Sequence, residues 1–196
     1  MSSENPTTRI RILDAAWKLL ESGAARGVRM SDIAKAAGIS RQALYLHFPS
    51  RAELLVATTR HVDAVKDVDA RLAESRSATG PARLDAFVAA WGGYIPEIHG
   101  VIRALAAMME TDAEARAAYD DRMAAVRHGC VAAVAALTAE GCLTPHLSAD
   151  EAADLLWTLL SVETWARLTQ DCGWTQAQYV AAMQRTARAA LMRQEI

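Results

Sequence analysis

The sequence predicts an all-α protein, and three observations carry the prediction. Apolar residues make up 52% of the 196-residue chain, with alanine prominent among them. Alanine costs a helix least and lets helices pack closely. Glycine is sparse, there are only five prolines, and no alternating run of β-branched residues reads as a strand. The apolar positions instead recur at the three- and four-residue spacing of a helix face. A three-helix head followed by a larger helical body, about nine helices in all, is the expected architecture.

The first helix is expected from about Thr7 to Ser22, where Ile10, Leu13, Ala16, Trp17 and Leu20 share one face and Gly23 is a natural stop. "GAARGV" reads as a linker. A short second helix runs from Met30 to about Ala37 and ends at Gly38. Ser40 caps a third that reaches Phe48, where Pro49 opposes continuation. Ser50 caps a fourth, and Glu53 three residues later completes a capping box. Its pattern continues past Val56, Val62 and Val65 to about Glu74, a strut of roughly 35–40 Å at ~1.5 Å per residue.

"SRSATGP", residues 75–81, is the clearest boundary. Pro81 opens "ARLDAFVAAW", which Gly92, Gly93 and Pro96 are expected to interrupt before "EIHGVIRALAAMME". Thr111 or Asp112 caps a long helix ending at Gly141. After the loop "CLTPHLS", Ser148 or Asp150 opens "DEAADLLWTLLSVETWARLTQ", Gly173 breaks it, and Thr175 opens "QAQYVAAMQRTARAALMR". The domains are expected at residues 1–50 and 51–196, with the helix at about 50–74 connecting them.

Charge is distributed unevenly over the chain. Through Arg51 there are eight Lys and Arg against four Asp and Glu, so an overall charge of −2 is split between a basic head and an acidic body. That asymmetry points to an anionic partner for the head alone. Cys130, Cys142 and Cys172 form no paired framework, which suits a reducing cytoplasm. The start has no apolar core of signal-peptide type and no run approaches a membrane span, so a cytoplasmic protein with no membrane partner is expected.

Residues 30–49 meet the requirements of a helix-turn-helix. Ala34 is small enough for the helix crossing, and Gly38 tolerates the positive φ of a tight turn. Ile33, Ala37, Ile39, Leu44 and Phe48 form a shared core that Trp17 and Leu20 can close. Within "ISRQALYLHF" this leaves Arg41, Gln42, Tyr45, Leu46 and His47 on the free faces. Arg and Gln early in such a helix match guanine and adenine edges in the major groove. Tyr45, His47 and Arg51 suit phosphate oxygens. Each residue alone is an ordinary surface or core-edge side chain; their joint occurrence in this frame favours DNA.

The stretch "RILDAAWKLLESGAARGVRMSDIAKAAGISRQALYLHFPSRAELL" resembles the DNA-binding head of the TetR family of bacterial transcription regulators. The Ala34–Gly38 spacing, Leu44-Tyr45, His47-Phe48 and the basic residue ahead of Glu53-Leu54 carry the resemblance, which covers roughly residues 8–60. It implies a homodimer with a diverged C-terminal helical domain that binds a small effector. It also puts Ser40, Arg41, Gln42, Tyr45 and His47 on the DNA. Arg51 stands where the family usually has Lys. Arg29 and Met30 lie where the family often has Thr, so Arg29 by charge or Ser31 by hydroxyl takes over that phosphate contact. Leu46 replaces a frequent second aromatic and can offer a thymine-methyl contact or simply pack.

In the body, Leu155, Leu159, Val162 and Trp165 on one helix and Val180, Met183, Ala187 and Leu191 on another exceed a single stripe. They either cover the chain's own core or, as the resemblance favours, pair with a second copy in a four-helix bundle. Trp91, Tyr94, Met108, Met109, Tyr119, Met123 and Trp157 are the large or adaptable residues that would suit an apolar effector pocket, with His99, Arg103 or Glu163 supplying polarity.

No cofactor is implied. His128 with Cys130, and Cys142 with His146, are not joined by a second pair at finger-like spacing, so no metal site is expected. No Gly-rich phosphate loop, G-x-S-x-G or H-E-x-x-H is present, which argues against an enzyme. The expected partners are therefore an operator duplex, a second copy of the chain and a small-molecule effector. A ligand- or protein-binding helical module whose head no longer reads DNA is the alternative.

Overall fold

The computed structural model describes residues 6–22 and 28–193, and they form an all-α fold with one isolated bridge between Leu143 and Met192. Residues 23–27, with the expected stop at Gly23 and most of the "GAARGV" linker, lie outside the described residues. Two compact units are present: one from the described residues of Met1–Lys66 with Glu97–Met123, the other from those of Asp67–Pro96 with Ala124–Ile196. No helix among the described residues is long and apolar enough to cross a membrane.

In the first unit, α1 (Pro6–Glu21) packs on α2 (Met30–Ala36) and on α4 (Arg51–Val65), with α3 (Arg41–His47) against α2. Ile12, Leu20, Ile33, Leu44, Phe48, Leu54 and Leu55 are each at most 1% exposed. Burying side chains of this size stabilises by about 1.5–3 kcal/mol apiece, so this core is what holds α3 in place. Ile39 and Trp17, expected in the same core, are only half-buried.

The 50–74 strut does not form as one helix. Asp67 adopts a left-handed φ of 52° and its carboxylate accepts from the Ala70 amide. That conformation ends α4 and starts α5 (Val68–Arg71), followed at once by α6 (Ala73–Ser77). Asp tolerates the left-handed region because its short polar side chain bonds locally.

The opposite correction applies downstream. Gly92, Gly93 and Pro96 lie inside one helix, α7 (Gly80–Met108), rather than interrupting it. At Gly92, an added Cβ would lie 3.4 Å from both Tyr179 and Val180, an ordinary van der Waals contact, so the glycine faces the last helix and makes no turn. The next helix, α8 (Ala113–Ala139), is capped by Asp112, whose Oδ1 accepts from the amides of Glu114 and Ala115.

The helix expected from about Ser148 to Gln170 is divided. Ser148 opens α9 (Ala149–Leu159) with a full capping box to Glu151. Ser161 then caps a separate α10 (Val162–Ala166), which winds into a π-helical turn at Arg167–Asp171. Thr175 opens α11 (Gln176–Leu191) with a second capping box to Gln178. The Trp165 indole donates to Gln176 Oε1 at 2.8 Å, and Gln176 Nε2 donates to the Gly92 carbonyl at 2.7 Å, tying α10, α11 and α7 together within the second unit.

Candidate nucleic-acid interface

The turn between α2 and α3 is built as its sequence requires. Gly38 takes φ +66°, and the Ile39 amide donates to the Ala34 carbonyl at 3.0 Å. Ala34 is buried, so the two helices meet closely. Ser40 Oγ accepts from the Ala43 amide at 3.0 Å and sets the start of α3. With Leu44 fully buried on the inner side, the outer side carries Arg41, Gln42, Tyr45 and Leu46, all exposed. Leu46 is 77% exposed, so it does not pack, and the contact-making alternative for it remains.

Arg41 and Tyr45 are neighbours one turn apart. The guanidinium lies 5.6 Å from the Tyr45 ring centroid, and Nη2 is 3.4 Å from the phenolic oxygen. That pairing holds the arginine outward over its own helix, as (i, i+4) neighbours do. Arg29 and Ser31 are exposed at the start of α2. Together with Arg41 and Tyr45 they line a groove of about 720 Å³.

Two candidate residues sit differently from expectation. His47 is half-buried, and its Nδ1 is buried without a hydrogen-bond partner, so only its other edge is available to a phosphate. Arg51 is turned inward. Its Nη1 pairs with Asp112 at 2.7 Å and Glu114 at 3.4 Å, its Nε donates to the Val28 carbonyl, and the side chain is 13% exposed. The free phosphate ligand expected at this position is thus an internal ion pair, made with residues some sixty positions along the chain.

Sequence reasoning passed over Arg9. Its Nη1 donates to the His47 carbonyl at 2.9 Å, and its guanidinium covers the Phe48 ring at 4.1 Å. Arg9 thereby closes the far end of α3 as Ser40 closes its start. A basic residue on α1 looks no different from Arg11 beside it, so no local signal marks it. Farther along α4, Arg60 pairs with Asp121, Asp63 with Arg122, and Lys66 with Glu97. His61 bonds Asp14 of α1 at 2.8 Å. Burial pulls the Arg122 guanidinium down to about 10, which still leaves it charged at neutral pH.

The body residues divide. Val162, Trp165, Met183, Ala187 and Leu191, expected at a dimer interface, are buried in the chain's own interior. Their apolar stripe serves the fold itself; Leu155 is exposed, and Leu159 and Val180 are half-buried. Of the effector-pocket candidates, Trp91, Tyr94 and Trp157 belong to the second unit and His99, Arg103, Met108, Met109, Tyr119 and Met123 to the first. Trp91 and Tyr94 are core: their rings meet edge to face at 5.6 Å, and the Trp91 indole donates to the Leu160 carbonyl. Arg103 is exposed and Glu163 likewise, whereas His99, Met108, Met109, Tyr119, Met123 and Trp157 are half-buried. Burial pushes the Cys130 thiol up to about 12, the behaviour of an inert core cysteine.

Residues 12–58 match the family described as bacterial regulatory proteins, tetR family. Over 78 residues the chain is 33% identical to the HTH-type transcriptional regulator TtgR of Pseudomonas putida, covering 40% of this chain. That alignment spans 37% of TtgR, and a probable regulator of P. putida, ArpR, matches to the same extent. Over nearly the whole chain the fold is similar to NalD, the secondary repressor of the MexAB-OprM multidrug efflux pump in Pseudomonas aeruginosa. The TM-score is 0.68 at 21% identity, with 97% of this chain and 99% of that one covered. A Saccharomonospora viridis protein crystallised in complex with choline gives a TM-score of 0.73 at 22% identity, with 97% and 100% covered.

Proposed function

We propose that this chain is a member of the tetR family of bacterial regulatory proteins, whose model matches residues 12–58, and that it is a DNA-binding transcription regulator, a repressor, released from its operator by a small molecule. The observation that carries the reading is the outer side of α3, where Arg41, Gln42, Tyr45 and Leu46 stand exposed on a helix whose inner side is buried. An exposed Arg-Gln pair at the start of a short helix clamped at both ends is what major-groove readout needs. Arg29, Ser31, Ser40 and one edge of His47 border that face as phosphate contacts. The protein acts in the cytoplasm as a homodimer, and performs no catalysis.

Two copies reading two half-sites would place their α3 helices one DNA turn apart, ~34–36 Å, on a near-palindrome. Leu155, Leu159 and Val180 are the dimer-interface candidates left accessible to a second copy. The S. viridis protein forms a complex with choline; a small-molecule effector bound in the body of this chain would be coupled to DNA by a free energy of ~1–3 kcal/mol. Selection of bound fragments from a random duplex pool tests the reading. Enrichment of an inverted repeat is the expected result. Folded, dimeric protein that enriches no sequence at low salt would overturn it.

A further inference from the structure

The groove that carries Arg29, Arg41 and Tyr45 ends in charge of the opposite sign. Its remaining wall is made by Met30, Pro49, Ser50, Arg51, Asp112 and Glu114. Asp112 receives Arg51 Nη1 through both carboxylate oxygens, at 2.7 and 3.0 Å, while its Oδ1 also caps α8. Glu114 takes the same Nη1 through Oε2 and the Ala52 amide, at the start of α4, through Oε1 at 3.3 Å. One pair of carboxylates therefore holds the first turns of two helices and neutralises the arginine that follows α3. Burial opposes ionisation of Asp112, yet the Ala115 amide and the Arg51 guanidinium keep its carboxyl below the ordinary 3.8. Its negative charge therefore persists at neutral pH.

We propose that Asp112 and Glu114 are positioning residues of the DNA-binding surface: they hold Arg51 as an internal ion pair, so that it gives no phosphate contact and the groove meets the sugar-phosphate backbone with a negative edge. This rests on the DNA-binding reading above. A cation whose charge is already paired releases no counterion from DNA, so Arg51 adds nothing to the salt dependence of binding. The carboxylates then limit affinity, and the exposed cations of α2 and α3 supply the phosphate attraction.

The test is the doubly neutralised variant Asp112→Asn with Glu114→Gln. Asn caps a helix as well as Asp does, and Gln keeps an oxygen for the Ala52 amide, so the change removes charge more than structure. Binding to a short random-sequence duplex is measured over a salt series. In the variant, log K against log[salt] should steepen by about 0.9 per protomer, and affinity at 0.1 M salt should rise about eightfold, the worth of one phosphate contact. Adding Arg51→Gln should abolish the gain, whereas Arg51→Gln alone should leave the slope of the unmodified protein unchanged.

A folded double variant with an unaltered slope, or with weaker binding, would make Arg51 a brace only and overturn the proposal. If the double variant does not fold, Arg51→Gln alone decides: a slope flattened by about 0.9 shows that Arg51 already meets phosphate, and the proposal is wrong. Unmodified protein that binds no duplex at any salt overturns the DNA reading and this inference with it. That outcome is distinct from binding with an unaltered slope.

Discussion

Replacing Asp63 by Asn should destabilise the protein far more than a surface change would. Arg122 is 8% exposed, its side chain 10% and that of Asp63 20%, so the pair is largely withdrawn from water. At neutral pH the guanidinium stays charged even though burial pulls it down to about 10. Asp63→Asn leaves that charge in place and takes away the carboxylate beside it. Removing one member of a buried pair costs ~3–5 kcal/mol, and the partial exposure of Asp63 places the expected loss near the lower end, about 3 kcal/mol. With a urea m-value of about 2 kcal/mol per molar, the unfolding midpoint followed by circular dichroism should fall by about 1.5 M. The double variant Asp63→Leu with Arg122→Met should return to within about 1 kcal/mol of the parent, because an apolar pair pays no desolvation of charge. A loss from Asp63→Asn below about 1 kcal/mol, the range of exposed pairs, would refute the reasoning.

Other outcomes follow from single contacts. Arg41→Ala should weaken binding to a selected operator by roughly 1–3 kcal/mol and relax preference at one base position; equal weakening on every sequence would show that Arg41 meets backbone alone. Gly129→Ala should cost about 1–3 kcal/mol by overpacking, since the new Cβ would lie 2.5 and 2.7 Å from Phe87 ring atoms; a thermal midpoint at or above that of the parent would contradict it. The Tyr179 hydroxyl is buried without a hydrogen-bond partner, and burial raises its pKa. Tyr179→Phe should therefore be neutral or stabilising by up to about 1 kcal/mol, and a clear loss in urea unfolding would reveal a partner for that hydroxyl.

Features settled by neighbours in the chain were legible from sequence. The Ser148 and Thr175 caps, the Gly38 turn and the burial of Leu44 and Phe48 all depend on residues within a few positions. Ser50 likewise accepts from the Glu53 amide, but α4 shows only this half of the capping box its spacing implied. Asp67 was not legible, because a left-handed Asp inside "AVKDVDA" carries neither glycine nor proline to announce it. Gly92, Gly93 and Pro96 misled in the other direction: local rules read a break where packing of Tyr179 and Val180 at Gly92 accompanies an unbroken α7. The destination of Arg51 depended on Asp112, far along the chain, and no spacing rule reaches that distance. An apolar stripe also does not say which surface it meets, which is why Met183, Ala187 and Leu191 read as interface and proved to be core.

The left-handed Asp67 makes α4 short, and shortness changes what the helix can do as a lever. Fifteen residues, Arg51–Val65, span about 22 Å at 1.5 Å per residue, in place of the longer strut. Tilting such an arm by about five degrees about its Asp67 end moves its other end by only about 2 Å. That end adjoins α3, and a base contact that depends on hydrogen-bond geometry fails over less than that distance. If α3 makes the base contacts proposed above, a small rotation of so short an arm would displace them by a distance of the same size as the contacts themselves.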